Sequence, residues 1–352
     1  MVTSVTGHRG PSLRGRTFGD VRVAPLIAIL AVLREHKLDP SEVFAQVGLN
    51  IRLFNDPENR VPFNDLGNLL EACVKQTRCP HFGLLIGQRF KLSSLGLLGE
   101  LIRNAPSARE ALRLASLHFE LHDRGAVSIN LNLGAGKAAL GSALFEGQTP
   151  AAAQILDAAI AMQYRALVEI CGRSWQPLLV QLSHGTPADT APFRKFFCAP
   201  LEFDAQISCI VFESPWLDHS IEGADPAAFA AISKAIDSMQ PRNAMPFVEQ
   251  VRRALCAMMF TGSASSANLA RLFNMQERTL RRHLEEEQVT VRYLVNEARR
   301  EWAHHLLRDT NLPVSEIASA LRYSDVSVFA RAFRGWSNMS PRNWRAKHSP
   351  AI

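Results

Sequence analysis

With 352 residues, 47% of them hydrophobic, the chain has room for two or three domains with ordinary buried cores, and no apolar run approaches the roughly 20 residues that a membrane-spanning helix needs. Six cysteines, Cys73, Cys79, Cys171, Cys198, Cys209 and Cys256, form no C-x-x-C pair, which removes the local signature of a zinc or dithiol site and reads as buried thiols of a cytosolic protein. The net charge of +6 sits at one end: residues 246–352 hold 16 Lys+Arg against 10 Asp+Glu, while residues 1–245 balance at 23 of each, the distribution of a polyanion-binding module joined to a neutral globular partner.

Residues 1–20 are rich in Gly, Ser, Thr and Arg without a period and are expected to be disordered. Arg9, Arg14 and Arg16 are not followed by a short apolar segment with a cleavage site. The best apolar run, residues 23–33, continues into Arg34, Glu35, His36 and Lys37 as a core helix does, so no export signal is expected and the location is cytoplasmic. A helix over 23–36 is followed by a second that Asp39 caps, with Pro40 first and Glu42 third. Short helices follow over 65–75, 82–90 and 95–103. Ser107 and Glu110 form an S-x-x-E capping box that opens another. His118 and His122 have a spacing that could share a metal, but a lone i, i+4 pair is a weak signal, and no metal or cofactor is expected.

The period then changes. Val127, Ile129, Leu131 and Leu133 alternate with Ser128, Asn130 and Asn132, and a second strand over 138–145 returns after Gly134, Ala135, Gly136 and Lys137. This is a hairpin, since the glycine spacing is wrong for a phosphate loop and no helix follows. A long helix over 151–171 precedes strands over 178–183 and 208–212, with a short aromatic helix and turn between them at 191–203. The reading is an α+β domain of about four antiparallel strands with helices packed on one side. Phe193, Phe196, Phe197, Phe203 and Trp216 either line an apolar pocket with Arg194 and Lys195 at its mouth or belong to the core, and burial preferences favour the core. A connecting helix over 225–239 and a linker at 240–243 close this part. The domain boundaries expected are 21–240 and 241–352.

Two helix-turn-helix units are expected in the second domain, at about 263–287 and 312–336. In the second, Val314, Ile317, Ala318 and Leu321 share one helical face and Phe329, Ala332, Phe333 and Trp336 share a face of the next helix, so the helices must cross where Ala318 is small. Ser327, Arg331 and Arg334 lie opposite the apolar face, at i, i+4, i+7 spacing. The first unit is a weaker copy beginning 48 residues earlier, with Leu269 and Ala270 matching Ile317 and Ala318, Ser265 as its cap, and Arg278, Arg281 and Arg282 exposed. Between the units Val291, Leu294, Val295, Ala298, Trp302, Leu306 and Leu307 keep a helical period. A rigid helix of about 19 residues, roughly 28 Å long, can present the two recognition helices to successive major grooves about 34 Å apart.

These residues, with Arg299, Ala303, Asp325 and the run Ser340, Pro341, Trp344, Arg345, resemble the AraC/XylS family of bacterial transcription regulators. The first domain is similar to the effector domain of the subgroup with the ornithine-utilisation and mycobacterial virulence regulators, through residues 95–98, the hairpin and residues 193–203; too much helix precedes the strands for the small barrel of the arabinose regulator. The resemblance implies a ligand-responsive, double-stranded-DNA-binding activator that contacts RNA polymerase, responds to a small-molecule effector and forms a homodimer, with no membrane partner. It places the recognition positions at Arg278, Arg281 and Arg282 in the first unit and Val326, Ser327 and Arg331 in the second, and the expected DNA-contacting set adds Thr279, Arg322, Ser324 and Arg334. Family members usually carry Gly where this chain has Asn274, Arg322 and Asn338. Asn tolerates the left-handed region, whereas Arg322 there costs ~1 kcal/mol unless the turn differs. Val326 suits a thymine methyl rather than a polar base edge. Two other readings compete: a constitutive dimeric DNA binder without an effector, and a DNA-repair methyltransferase. The latter lacks the clustered cysteines its chemistry requires, and the chain is expected not to be an enzyme.

Overall fold

A computed structural model describes residues 19–144, 149–238, 246–261, 264–273 and 275–348. The leader up to residue 18, the linker at 240–243 and Asn274 lie outside the described residues. Gly19 and Asp20 do not belong with that leader: β1 (Asp20–Arg22) already pairs antiparallel with β2 (Arg60–Pro62). Between them run α1 (Ala28–Glu35) and α2 (Pro40–Gln46), the latter begun by Asp39, whose carboxylate accepts from the Ser41 amide. Helices α3 (Phe63–Thr77), α4 (Phe82–Gly87), α5 (Leu97–Arg103) and α6 (Ala108–Leu117) follow. Ser107 caps α6 by accepting from the Glu110 amide, while the Glu110 carboxylate pairs with Arg113.

The hairpin is β3 (Ala126–Gly134) and β4 (Lys137–Leu144). Its two-residue loop has Ala135 at φ 48° and Gly136 at φ 73°, the doubly left-handed turn whose twist matches that of paired strands. After α7 (Ala152–Cys171) come β5 (Leu179–Gln181), α8 (Ala191–Phe197), β6 (Leu201–Glu202) and β7 (Ser208–Glu213). The sheet has five strands in the order β3-β4-β7-β5-β6, one more than expected, and the extra strand β6 pairs parallel to β5. Its neighbours are antiparallel, and the α+β class holds. Phe193 and Phe197 are fully buried in the core beside Trp175 and Phe212, with Phe196, Phe203 and Trp216 packed against them, so the aromatic cluster is core. Of the cysteines, all free, only Cys198 is exposed.

After α9 (Pro226–Ser238), the C-terminal helices are α10 (Phe247–Thr261), α11 (Ser266–Leu272), α12 (Glu277–Glu286), α13 (Val291–Asp309), α14 (Val314–Ala320), α15 (Val326–Ser337) and α16 (Pro341–His348). The expectation that helices cover one side of the sheet needs correction, because both faces are covered. Side chains alternate along a strand. Ala138, Leu140, Val180, Ile210 and Phe212 face α7 and its neighbours. Val127, Ile129, Ala139, Cys209 and Val211 pack instead with Cys256 and Met259 of α10 and Trp302 and Leu306 of α13. No described helix is long and apolar enough to cross a membrane, and no described group of His, Cys, Asp and Glu could hold a metal ion.

A buried ion pair holds the loop after β5 to α7. His184 Nε2 donates to Asp157 Oδ1 at 2.9 Å and its Nδ1 lies 2.9 Å from the Gly185 carbonyl, so both ring nitrogens face acceptors. Burial works against the charged ring, but Asp157 and these hydrogen bonds prevail and raise His184 to about 9. The folded state therefore holds this proton between the ring's ordinary range and about pH 9, while the unfolded chain does not. Stability from this pair should be full below about pH 6.5 and fall by ~3 kcal/mol as pH rises to about 9. Urea melts of wild type and Asp157→Asn across that interval check it: the variant should lose most of the slope, and parallel slopes would reject the assignment.

Candidate nucleic-acid interface and buried cavity

Both expected helix-turn-helix units form. In the first, Ser265 caps α11 by accepting from the Asn268 amide. Leu269, Ala270, Leu280 and Leu284 are buried against Val251 and Leu255 of α10. That leaves Arg278, Arg281 and Arg282 exposed on α12, with Thr279 half-buried. Arg281 donates to Glu277 at 2.7 Å, and Arg282 lies 3.8 Å from Glu286, so two of the three arginines already have intrahelical partners. Exposed pairs of this kind contribute only ~0.3 to 0.5 kcal/mol, little enough to be exchanged for a phosphate or a guanine edge.

In the second unit Asp325 caps α15, its Oδ1 accepting from the Ser327 amide at 2.6 Å. Phe329 and Phe333 are fully buried beside Ile317, Ala318 and Leu321. The opposite face carries Val326, Ser327, Arg331 and Arg334, all exposed, with Ser324 exposed in the turn before it. Arg322 has φ 60° and Asn338 φ 56°, so both positions are left-handed, as the glycines at these places in the family would allow. The turn therefore does not bend differently to spare Arg322. Arg299 of α13 lies 5.1 Å from the centre of the Tyr323 ring and braces that turn. Sequence reasoning missed Val328, which is 41% exposed next to Val326 at 38%. Its signal was available: a valine off the Phe329 and Phe333 stripe of an amphipathic helix.

Helix α10, also missing from the expectations, joins three things. Val251 and Leu255 enter the core of the first unit, Cys256 and Met259 meet the sheet, and Arg252 pairs with Glu249 and with Glu301 of α13. Burial drives the Glu301 carboxyl up to about 7 against the pull of Arg252. Arg253 reaches into the N-terminal part, donating to the Asp123 carbonyl at 2.9 Å and to the Ala126 carbonyl. At the far end of the sheet the Ser183 hydroxyl lies 3.2 Å from His305 Nε2 and 2.9 Å from Ser208 Oγ, while His305 Nδ1 donates to Asp309. The Gly185 amide donates to the Asp309 carbonyl, and the Asn311 amide to Asp204. Burial opposes ionisation of Asp309, but the hydrogen bonds from His305 and Arg308 hold it at about 2.

On the opposite face of β3 and β4 lies a cavity of about 120 Å³, walled by α3 to α7 and the hairpin. Five of its 28 lining residues are polar: His122, Asp123, Ser128, Ser142 and Gln163. They gather where β3 begins, since Ser128 and Ser142 are cross-strand partners and Gln163 donates to Ser142 Oγ and to the Gly141 carbonyl.

A family model described as the arabinose-binding domain of AraC transcription regulators matches residues 38–221, just over half of the chain, and a helix-turn-helix domain model matches residues 269–347. The chain belongs to the AraC family of transcription regulators. The ornithine utilization regulator of Pseudomonas aeruginosa is 25% identical to it over 329 residues, covering 92% of this chain and 96% of that protein. VirS of Mycobacterium tuberculosis is 22% identical over 327 residues, covering 93% and 96%. VqsM of Pseudomonas aeruginosa is 30% identical over 189 residues, covering 52% and 57%. The crystal structure of the transcriptional regulator CdpR from Pseudomonas aeruginosa aligns over 92% of this chain and 96% of that one, with a TM-score of 0.45 and 22% identity. This AraC-family member is thus a transcription regulator with a DNA-binding helix-turn-helix domain and an effector domain of the arabinose-binding type.

In this AraC-family chain, Arg345 of α16 fastens the second unit. Its Nε donates to the Leu307 carbonyl at 3.1 Å and its Nη2 to the Leu312 carbonyl at 2.6 Å, tying the end of α13 to the start of α14. Arg345→Ala removes both of these links and should cost ~1 to 3 kcal/mol, seen as a lower urea midpoint. A midpoint equal to that of wild type would show that water replaces the guanidinium without loss.

Proposed function

We propose that this protein is a ligand-responsive, sequence-specific activator that works in the cytoplasm as a homodimer and contacts RNA polymerase. Residues 21–240 form the effector-binding and dimerisation domain, and residues 241–352 read two adjacent major grooves through units at about 263–287 and 312–336. The observation that carries this reading is the position of β3 and β4. One face of the hairpin walls the cavity, and the other packs on α10 and α13, which support the two units. A molecule in the cavity touches the strand whose first carbonyl accepts from Arg253. It shifts the DNA-binding helices by as much as its affinity differs between their arrangements.

Arg278, Thr279, Arg281 and Arg282 supply base and phosphate contacts in the first unit. Ser324, Val326, Ser327, Arg331 and Arg334 do so in the second, joined by Val328, while Arg322 reaches a phosphate. Paired exposed valines suit thymine methyls, so the second unit reads bases through apolar contact and uses Arg331 to hold the backbone.

Operator affinity should fall steeply with salt, because each phosphate neutralised lowers the log–log slope by about 0.9. Arg281→Ala and Arg282→Ala should each cost ~1 to 3 kcal/mol and relax discrimination in one half of the site, whereas Arg331→Ala weakens all sequences alike. Anisotropy titrations against single-base operator variants check this, and selective loss at one base pair in Arg331→Ala would reverse the roles. Sedimentation of the full chain as a monomer at micromolar concentration would reject the homodimer.

A further inference from the structure

We infer that the cavity under β3 and β4 takes a small, largely apolar molecule with a single hydrogen-bond-donating group, of the phenol or short-chain alcohol class, and not a sugar or an amino acid. The inference deepens the proposed effector response and names the chemistry of its ligand. Three observations carry it. Apart from the five polar residues at one corner, the wall is aliphatic and aromatic, with Phe63, Phe90, Leu98, Leu112, Leu140 and Ile170 among its members. Each hydroxyl of a sugar that faced these side chains would lose water without gaining a partner. No Lys or Arg is among the described lining residues, so a carboxylate there would have no lining cation to pair with directly.

The polar corner shows what the ligand must offer. Gln163 spends its Nε2 on the Gly141 carbonyl and Ser142 Oγ, which fixes the amide's orientation and leaves Oε1 buried without a donor among the described residues. His122 is 7% exposed, and its buried Nδ1 also has no partner among the described residues. Burial, reinforced by Arg22 and Arg60, drives this ring down to about 3, so it stays neutral. Asp123 is already engaged, its Oδ1 accepting from the amides of Gly125 and Ala126. One ligand hydroxyl or N–H therefore meets an acceptor that no other described residue satisfies. Size agrees: a cavity near 150 Å³ holds benzene, so about 120 Å³ here accommodates about one ring or a chain of similar bulk.

The test uses the full-length chain, free of DNA, with four probes: p-cresol, toluene, L-arabinose and L-ornithine. Binding is followed by calorimetry and by the shift in Tm, which a ligand of the folded state alone must raise. Wild type should bind p-cresol saturably and about tenfold more tightly than toluene, with neither L-arabinose nor L-ornithine bound. Gln163→Leu should bring the p-cresol to toluene ratio down to about threefold or less, and Ala115→Phe, which fills the cavity, should weaken both about tenfold. Equal affinity for p-cresol and toluene overturns the donor requirement, and tighter binding of L-arabinose or L-ornithine overturns the ligand class. Unchanged p-cresol affinity in a folded Ala115→Phe chain overturns the site. If either variant fails to fold, the ranking of the four probes on wild type decides. Operator anisotropy measured alongside keeps the two readings apart. p-Cresol that binds without changing operator affinity removes the effector response and leaves the ligand class standing, whereas its failure to bind a chain that still binds operator does the reverse.

Discussion

The structure depends on the two-residue alternation of β3 and β4. Because successive side chains point to opposite faces, Leu140 can wall a cavity while its neighbour Ala139 packs against the helices that carry the recognition elements. A sheet buried on both faces cannot move one without moving the other, since strand displacements are shared by everything packed on either side. A slip of one residue would exchange the two sets of side chains entirely, so register and function are specified by the same pattern.

The seam is also unlike a plain apolar core. Arg253 grips the carbonyls at the start of β3, and at the other end His305 and Asp309 meet Ser183, Ser208 and the Gly185 amide. Polar pairs of this kind add little net stability, but removing one partner is costly, which makes them good at selecting one docked arrangement over near alternatives. The apolar area between them supplies the adhesion.

Local chemistry was readable in the sequence. Asp39, Ser107 and Ser265 cap the helices they were expected to open, and Ala135 and Gly136 make the expected tight turn. The exposed arginines of α12 and α15 follow directly from helical period. What escaped was long-range. Val251 and Leu255 carry a helical spacing that marks α10, but nothing local says that Cys256 and Met259 meet a sheet whose nearest strand to them in space, β3, lies more than a hundred residues upstream. Strand β6 is two residues long and pairs parallel, too short for alternation to register. The cavity escaped for a different reason: lining residues such as Leu98 and Ile170 have the same period as residues in filled core, and a void is a property of how faces fail to meet.

The reach of Arg253 across the seam bears on how such proteins can be recombined. Cutting at the residues between α9 and α10 and joining a foreign DNA-binding half would place an unfamiliar α10 and α13 on this sheet. The chimera would lose the contacts that Arg253, Trp302 and His305 make with this sheet and its flanking loop unless those residues travelled with the N-terminal part. For anyone building a reporter from this scaffold, the natural unit of exchange is the recognition surface of α12 and α15, grafted onto helices whose inner faces stay untouched.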